Sequence, residues 1–219
     1  MNQQDRAVAV LCDFDGTVTQ IDVTNALYLK FGDEVCKAAM NRWLRGEITT
    51  PQELRTCFPR MHARKEEMEA FLDTVPLDPG FERLVWFCRE RGYRFAVLSD
   101  GLRWYIERIL RRYGFDGLTV YANEIDFQED GVRLSFPYHD PALPKRGTAK
   151  PNIVRRYQRE GMGVAFIGDG LSDVEVAGVA DVLYAKGRFL EHCREHEIPA
   201  IPFSELREVV ENWREPRLH

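Results

Sequence analysis

Ala7-Val8-Ala9-Val10-Leu11-Cys12 is a short, continuously apolar run that stops at Asp13-Phe14-Asp15-Gly16-Thr17. Such a run, bounded by a polar turn that contains glycine, reads as a buried central strand of a parallel sheet. Side chains of an extended segment alternate, so Asp13 and Asp15 point to one side and Phe14 to the other. Two carboxylates converging at a strand end are electrostatically costly unless a cation lies between them. Gly16 permits a sharp turn and a close approach of the backbone to whatever binds there. Taken alone, the segment also fits a strand followed by an Asx-type turn. The rest of the chain decides.

Strand character is lost over residues 20–78. Asp22 is a candidate N-cap for a helix through Leu29, and Glu34 to Leu44 carries apolar residues at helical spacing. Thr50-Pro51-Gln52-Glu53 combines a capping-box Thr and Glu with proline at the first helical position. Arg64 to Leu72 supplies a fourth helical segment, and Pro76 and Pro79-Gly80 close the block. From Gly80 onward helices and strands alternate. Arg94 to Leu98 is a second buried strand that ends at Ser99-Asp100-Gly101. Leu118 to Ala122 is a third, and Ile125 to Phe136 reads as a β-hairpin about Glu129-Asp130-Gly131. An irregular, proline-containing loop leads to Lys150. Gly163 to Ile167 is a further central strand, followed by Gly168-Asp169-Gly170-Leu171-Ser172-Asp173. This order predicts an α/β fold with a doubly wound parallel sheet, an inserted small all-helical cap and a hairpin. Its core comprises residues 1–19 and 79–219, and its cap residues 20–78. Ligands of such sheets sit beyond the carboxyl ends of the strands, where Asp13, Asp15, Ser99 and Asp169 all fall.

The five cysteines are odd in number and scattered without a Cys-x-x-Cys pair, which argues for reduced, packed thiols rather than disulfides or zinc. A net charge of −5 gives no electrostatic reason to propose nucleic acid as a partner. No apolar run reaches membrane-spanning length, and the polar opening Met1 to Arg6 lacks a signal-peptide pattern, so a cytoplasmic protein without membrane partners is expected.

Asp-x-Asp-Gly-Thr, a strand ending in serine, a lysine opening a helix, and Gly-Asp-Gly-x-x-Asp occur here in the order found in the haloacid dehalogenase superfamily. The helical insertion after the first motif resembles the cap of the phosphoserine-phosphatase-like branch. Within that branch, Asp22, Ser99-Asp100-Gly101, Lys150-Pro151 and Asp173-Val174-Glu175 look most like the methionine-salvage type, which acts on a keto-methylthiopentenyl phosphate. The resemblance implies a phosphomonoester hydrolase of a small phosphorylated metabolite. Asp13 would be the nucleophile and Asp15 the general acid and base. Mg²⁺ would be held by Asp13, the carbonyl of Asp15, and Asp169, with Asp173 steadying it from the first turn of the next helix. Ser99, Asp100, Gly101 and Lys150 would surround the phosphoryl group. Asp22 and Arg55, in the cap segment, would meet the organic part of the substrate.

Other readings stay open on the sequence. Ser99 and Asp100 also fit a helix cap, Asp173 a solvated first-turn acid, and Arg55 a solvated helix arginine. Phosphoserine phosphatases usually carry glutamate where this chain has Asp22 and glycine where it has Asp100, so phosphoserine is the second substrate choice. A non-catalytic module that binds a phosphometabolite is the alternative of another class. His192 and His196 have helical i, i+4 spacing among charged neighbours and read as a solvated face, as do Arg108, Arg111 and Arg112.

Overall fold

In the computed structural model, which describes residues 7–216, the apolar run forms strand β1 (Val8–Cys12), with every residue buried. Helices α1 (Val23–Phe31), α2 (Glu34–Leu44), α3 (Thr50–Cys57) and α4 (Lys65–Leu72) follow. Next come α5 (Phe81–Glu90), β2 (Arg94–Leu102), α6 (Arg103–Arg112), β3 (Thr119–Gln128) and β4 (Gly131–Ser135). The chain continues through α7 (Lys150–Arg159), β5 (Gly163–Gly168), β6 (Val182–Ala185), α8 (Gly187–Glu195), β7 (Ile201–Pro202) and α9 (Leu206–Glu211).

The seven strands are ordered β4-β3-β2-β1-β5-β6-β7. β1 pairs in parallel with β2 on one side and β5 on the other, and β5-β6-β7 continue in parallel. The β3–β4 hairpin is antiparallel and forms the far edge. From β1 the chain therefore winds outward through β2 and β3, then returns beside β1 and winds the other way. That reversal creates a switch point between β1 and β5, the place where such sheets bind ligands. Register fixes the ends: Cys12 lies opposite Ile167, and the Asp13 amide donates to the Ile167 carbonyl at 2.8 Å. The residues following both strands are thereby brought level.

The chain divides into two compact units. One comprises residues through Gln20, Leu77–Leu98 and the chain from Lys150 onward; the other comprises Ile21–Pro76 and Ser99–Ala149. The second unit takes in the hairpin as well as α1 to α4, whereas the sequence division leaves 99–149 with the core. Ion pairing between α4 and α6 shows why. Arg108 grips Asp73 with two nitrogens, at 2.8 and 2.7 Å, and reaches Glu69 at 3.0 Å. Arg108 is thus a helix-to-helix clamp rather than part of a solvated face.

Local details depart from expectation in instructive ways. β2 runs on through Ser99-Asp100-Gly101, and β7 was not foreseen because two residues carry no periodicity. The capping box of α3 lies one residue earlier than Thr50 and Glu53. Thr49 caps the helix by accepting from the Gln52 amide, and the Gln52 side chain accepts from the Thr49 amide in return. Thr50 and Glu53 are thereby released, and both are buried. All five cysteines are buried free thiols, and no described helix is long and apolar enough to cross a membrane.

Candidate active site

Within the first unit Asp13, Asp169, Asp173 and Lys150 form one group. Lys150 opens α7, where its backbone is fixed and its stem is drawn inward; it is only 1% exposed. Its Nζ donates to Asp13 Oδ1 at 2.5 Å, to Asp173 Oδ1 at 2.6 Å and to Ser172 Oγ at 3.3 Å. These use the three protons of an ammonium group. Asp173 Oδ2 accepts from the amides of Asp169 and Gly170, each at 3.0 Å, so this carboxylate also ties the turn after β5 to the lysine. Asp173 precedes a short 3-10 turn (Val174–Val176) rather than sitting in the first turn of an α-helix. Its contacts fix it as an anchor of lysine and turn. Asp169 Oδ1 accepts from Thr17 Oγ1 at 2.9 Å, which joins the loop after β1 to the loop after β5.

Two glycines are required by this closeness. Gly16 has φ +78°, and a Cβ there would lie 2.6 Å from Asp169 Oδ2. A Cβ on Gly168 would lie 2.5 Å from Asp173 Oδ2. Only a residue without a side chain lets the acids approach so near.

Carboxylate oxygens of Asp13, Asp169 and Asp173 lie within 4.8 Å of one another. Burial, and then the neighbouring Asp173 charge, push Asp13 well above the usual carboxylate range, with Lys150 acting against them. Asp169 is pushed up to about 6 by burial and by Asp173. Burial would lower the Lys150 ammonium, but Asp13 and Asp173 reverse that and hold it charged. One lysine does not neutralise three acids. An additional cation would relieve the excess, and hard oxygen donors at this separation suit Mg²⁺. Asp15 is half-buried and outside this three-acid group.

Ser99 and Asp100 belong to the second unit by the division above, although they continue β2, whose Val97 is paired with Cys12. Ser99 Oγ accepts from the Gly101 amide at 2.9 Å. The Asp100 side chain does not present an open edge to a phosphoryl group. Its Oδ1 accepts from the Gly147 and Thr148 amides at 2.8 and 2.9 Å, and its Oδ2 from Thr50 Oγ1 at 2.5 Å. Asn123 Nδ2 donates to the Asp100 carbonyl at 2.7 Å. Asp100 thus pins the loop that leads to Lys150 and the start of α3 to the end of β2. Asp22 is the exposed N-cap of α1, accepting from the Asn25 amide at 2.8 Å. Arg55 is exposed on α3 with its guanidinium 4.6 Å from the Phe136 ring, a stacking position at the hairpin.

A profile of haloacid dehalogenase-like hydrolases matches residues 10–178, from β1 through the turn that contains Asp173. The chain belongs to this family. Among the relatives of this haloacid dehalogenase-like chain is the 2-hydroxy-3-keto-5-methylthiopentenyl-1-phosphate phosphatase of Exiguobacterium sibiricum, 30% identical over 94% of this chain and 95% of that one. The protein of the same name from Geobacillus thermodenitrificans is 27% identical over 94% of this chain and 96% of its own. Among solved structures, a phosphoserine phosphatase in a phospho-aspartyl intermediate analogue superposes with a TM-score of 0.73. It covers 96% of this chain and all of that one at 20% identity, a likeness of fold. The chain is thus an enzyme on the phosphatase side of the haloacid dehalogenase-like hydrolases.

Glu53 is a buried acid outside the haloacid dehalogenase motifs that the sequence reading missed. Glu53 on α3 is 4% exposed, and its Oε1 is buried without a hydrogen bond. Burial, followed by the charges of Asp22 and Asp100, pushes its carboxyl up to about 9, against the opposing pull of Arg146. The available signal was the alternative capping register Thr49-x-x-Gln52, which leaves Glu53 without a surface duty.

Proposed function

We propose that this chain is a Mg²⁺-dependent phosphomonoesterase that works through a phosphorylated Asp13. The observation that carries the proposal is the arrangement of Lys150 between Asp13 and Asp173, with Asp169 beside them at the ends of β1 and β5. Asp13 attacks phosphorus, the ester P–O bond breaks, and Asp15 gives its proton to the departing alcohol. Asp15 then takes a proton from water, which attacks the phosphorus and releases phosphate and the Asp13 carboxylate. Lys150 aims the Asp13 oxygen and favours its ionised form against burial, and Ser99, with the backbone amides that follow Asp15 and Ser99, receives phosphoryl oxygens. Mg²⁺ held by Asp13 and Asp169 would supply charge neutralisation between the anionic nucleophile and the phosphate. Asp173 acts through Lys150 and the turn it anchors.

Residues 20–78 serve as the helical cap in this reading. The isolated bridge between Thr19 and Leu77 supports that boundary by bringing the two connections together. For substrate we favour a hydroxylated keto phosphate of the 2-hydroxy-3-keto-5-methylthiopentenyl type. Similarity over 94% of the chain to proteins of that name supports it, and Arg55, which would hold a substrate carboxylate in a phosphoserine phosphatase, is exposed and stacked on Phe136 here. The test is turnover of p-nitrophenyl phosphate with and without Mg²⁺, in the wild type and in Asp13→Asn. Metal-dependent turnover that falls on the order of 10⁴-fold in the variant is expected, since groups acting as a nucleophilic unit fail together. Substantial activity remaining in Asp13→Asn would rule out the covalent route.

A further inference from the structure

Helix α8 ends in two histidines that the phosphatase chemistry does not use. His192 and His196 stand four residues apart, and the His196 amide donates to the His192 carbonyl at 3.1 Å, so the helical turn carries through to His196. Positions i and i+4 share one face of a helix. The two imidazole rings accordingly lie with centroids 4.1 Å apart and planes tilted by 32°. His196 is exposed and His192 half-buried, so an ion can reach the pair from solvent.

Hydrogen bonding sets which nitrogens the pair offers. His196 Nδ1 lies 2.9 Å from the His192 carbonyl oxygen. A carbonyl only accepts, so Nδ1 carries the proton and Nε2 of the neutral ring keeps its lone pair. Donation of the second ring N–H to a backbone carbonyl is what orients metal-ligating histidines and raises their basicity. Among the described residues no hydrogen bond engages the His192 ring. The pair also stands at the C-terminal end of α8, where the helix dipole favours a cation. Metal–nitrogen distances of about 2.0–2.1 Å place two imidazole nitrogens on one ion roughly 3 Å apart. Rings already stacked at 4.1 Å come to that spacing with a small side-chain rotation of exposed His196.

We propose that His192 and His196 chelate a divalent transition-metal ion, at a site distinct from the group of Asp13, Asp169 and Asp173. Imidazole suits Zn²⁺, Ni²⁺ and Cu²⁺, whereas the hard oxygens of the three acids suit Mg²⁺. Among the described residues those acids are the group of three or more ligating side chains close enough to share an ion. The histidine pair is therefore a two-ligand site whose remaining positions fall to water. This assignment does not rest on the phosphatase reading.

The test uses the full chain, His192→Gln and His196→Gln, compared first by thermal unfolding without metal. Each is titrated calorimetrically with Ni²⁺ in excess Mg²⁺. Loss of an outer partner of a metal ligand costs about 10–100-fold in affinity, so loss of a ligand itself should weaken Ni²⁺ binding by at least tenfold in both variants. A second measurement needs no variant: substoichiometric Cu²⁺, which is paramagnetic, should broaden the amide NMR signals of residues 192–197 in the wild type, and Mg²⁺ should leave them unchanged. Unchanged Ni²⁺ affinity in the variants, or a loss in one of them alone, would overturn the chelate. So would Cu²⁺ broadening confined to the turns that carry Asp13 and Asp169.

Discussion

Asp13, Asp169 and Asp173 in one unit and Glu53, Asp22 and Asp100 in the other are both groups of three acids near a buried cation. In the first, Lys150 donates to Asp13 and Asp173 directly, Thr17 donates to Asp169, and two backbone amides donate to Asp173 as well. In the second, Asp100 is engaged by Gly147, Thr148 and Thr50, and Asp22 by Asn25, while Glu53 Oε1 has no hydrogen bond. Arg146 acts on Glu53 through its field. In the first arrangement every carboxylate has a direct donor, and Lys150 opposes the upward push of burial on Asp13, which suits attack on phosphorus and cation binding. The second leaves Glu53 without a donor, and burial favours its protonated form. Burial alone therefore does not set what an acid does. Its direct partners do.

The largest effect should come from removing the cation of the first group. Lys150→Met leaves Asp13 and Asp173 buried without their donor, and breaking such a pair costs about 3–5 kcal/mol. Chemical denaturation should show that loss together with the disappearance of p-nitrophenyl phosphate turnover. A variant as stable as the wild type would mean that the acids are neutral without the lysine, and the contrast between the two groups would collapse.

A smaller effect tests the second group. The folded-state value of Glu53, about 9, lies above its ordinary 4.5, so the folded protein holds a proton that the unfolded chain has released between those values. Stability from this group is complete below pH 4.5 and is lost as pH rises towards 9, by at most about 1.4 kcal/mol per pH unit. Between pH 6 and 8 the wild type should lose about 2–3 kcal/mol relative to Glu53→Gln, read as diverging denaturation midpoints. Parallel pH profiles for the two proteins would show that Glu53 is ionised in the folded state.

The smallest effect belongs to Arg55. Its exposed stacking on Phe136 is a cation–π contact of about 0.5–1 kcal/mol. Arg55→Ala should lower the unfolding midpoint by no more than that contact, and a loss of several kcal/mol would place Arg55 in a network that the stacking geometry does not reveal.

Much of this architecture was legible because it rests on local pattern. The apolar run before Asp13, its counterpart before Asp169, and the capped helices between them follow from burial periodicity and turn chemistry. The acids and Lys150 were legible as well, since each stands at the end of a strand or the start of a helix. Glu53 was not. Thr49-Thr50-Pro51-Gln52-Glu53 supports two capping registers of similar local merit, and the reading that used Thr50 and Glu53 gave both to the helix cap. Arg108 was misread for a similar reason, because its partner Asp73 lies 35 residues away, at the C-cap of α4.

By itself, then, the sequence determined where strands end and which acids stand there, since side-chain alternation and apolar burial act over a few residues. Only the tertiary structure decided which of those groups share a proton donor. Hydrogen bonds such as Thr50 to Asp100 join segments 50 residues apart and select one capping register over the other. That selection turns Glu53 inward, where the cost of its unpaired oxygen depends on neighbours that no local pattern specifies.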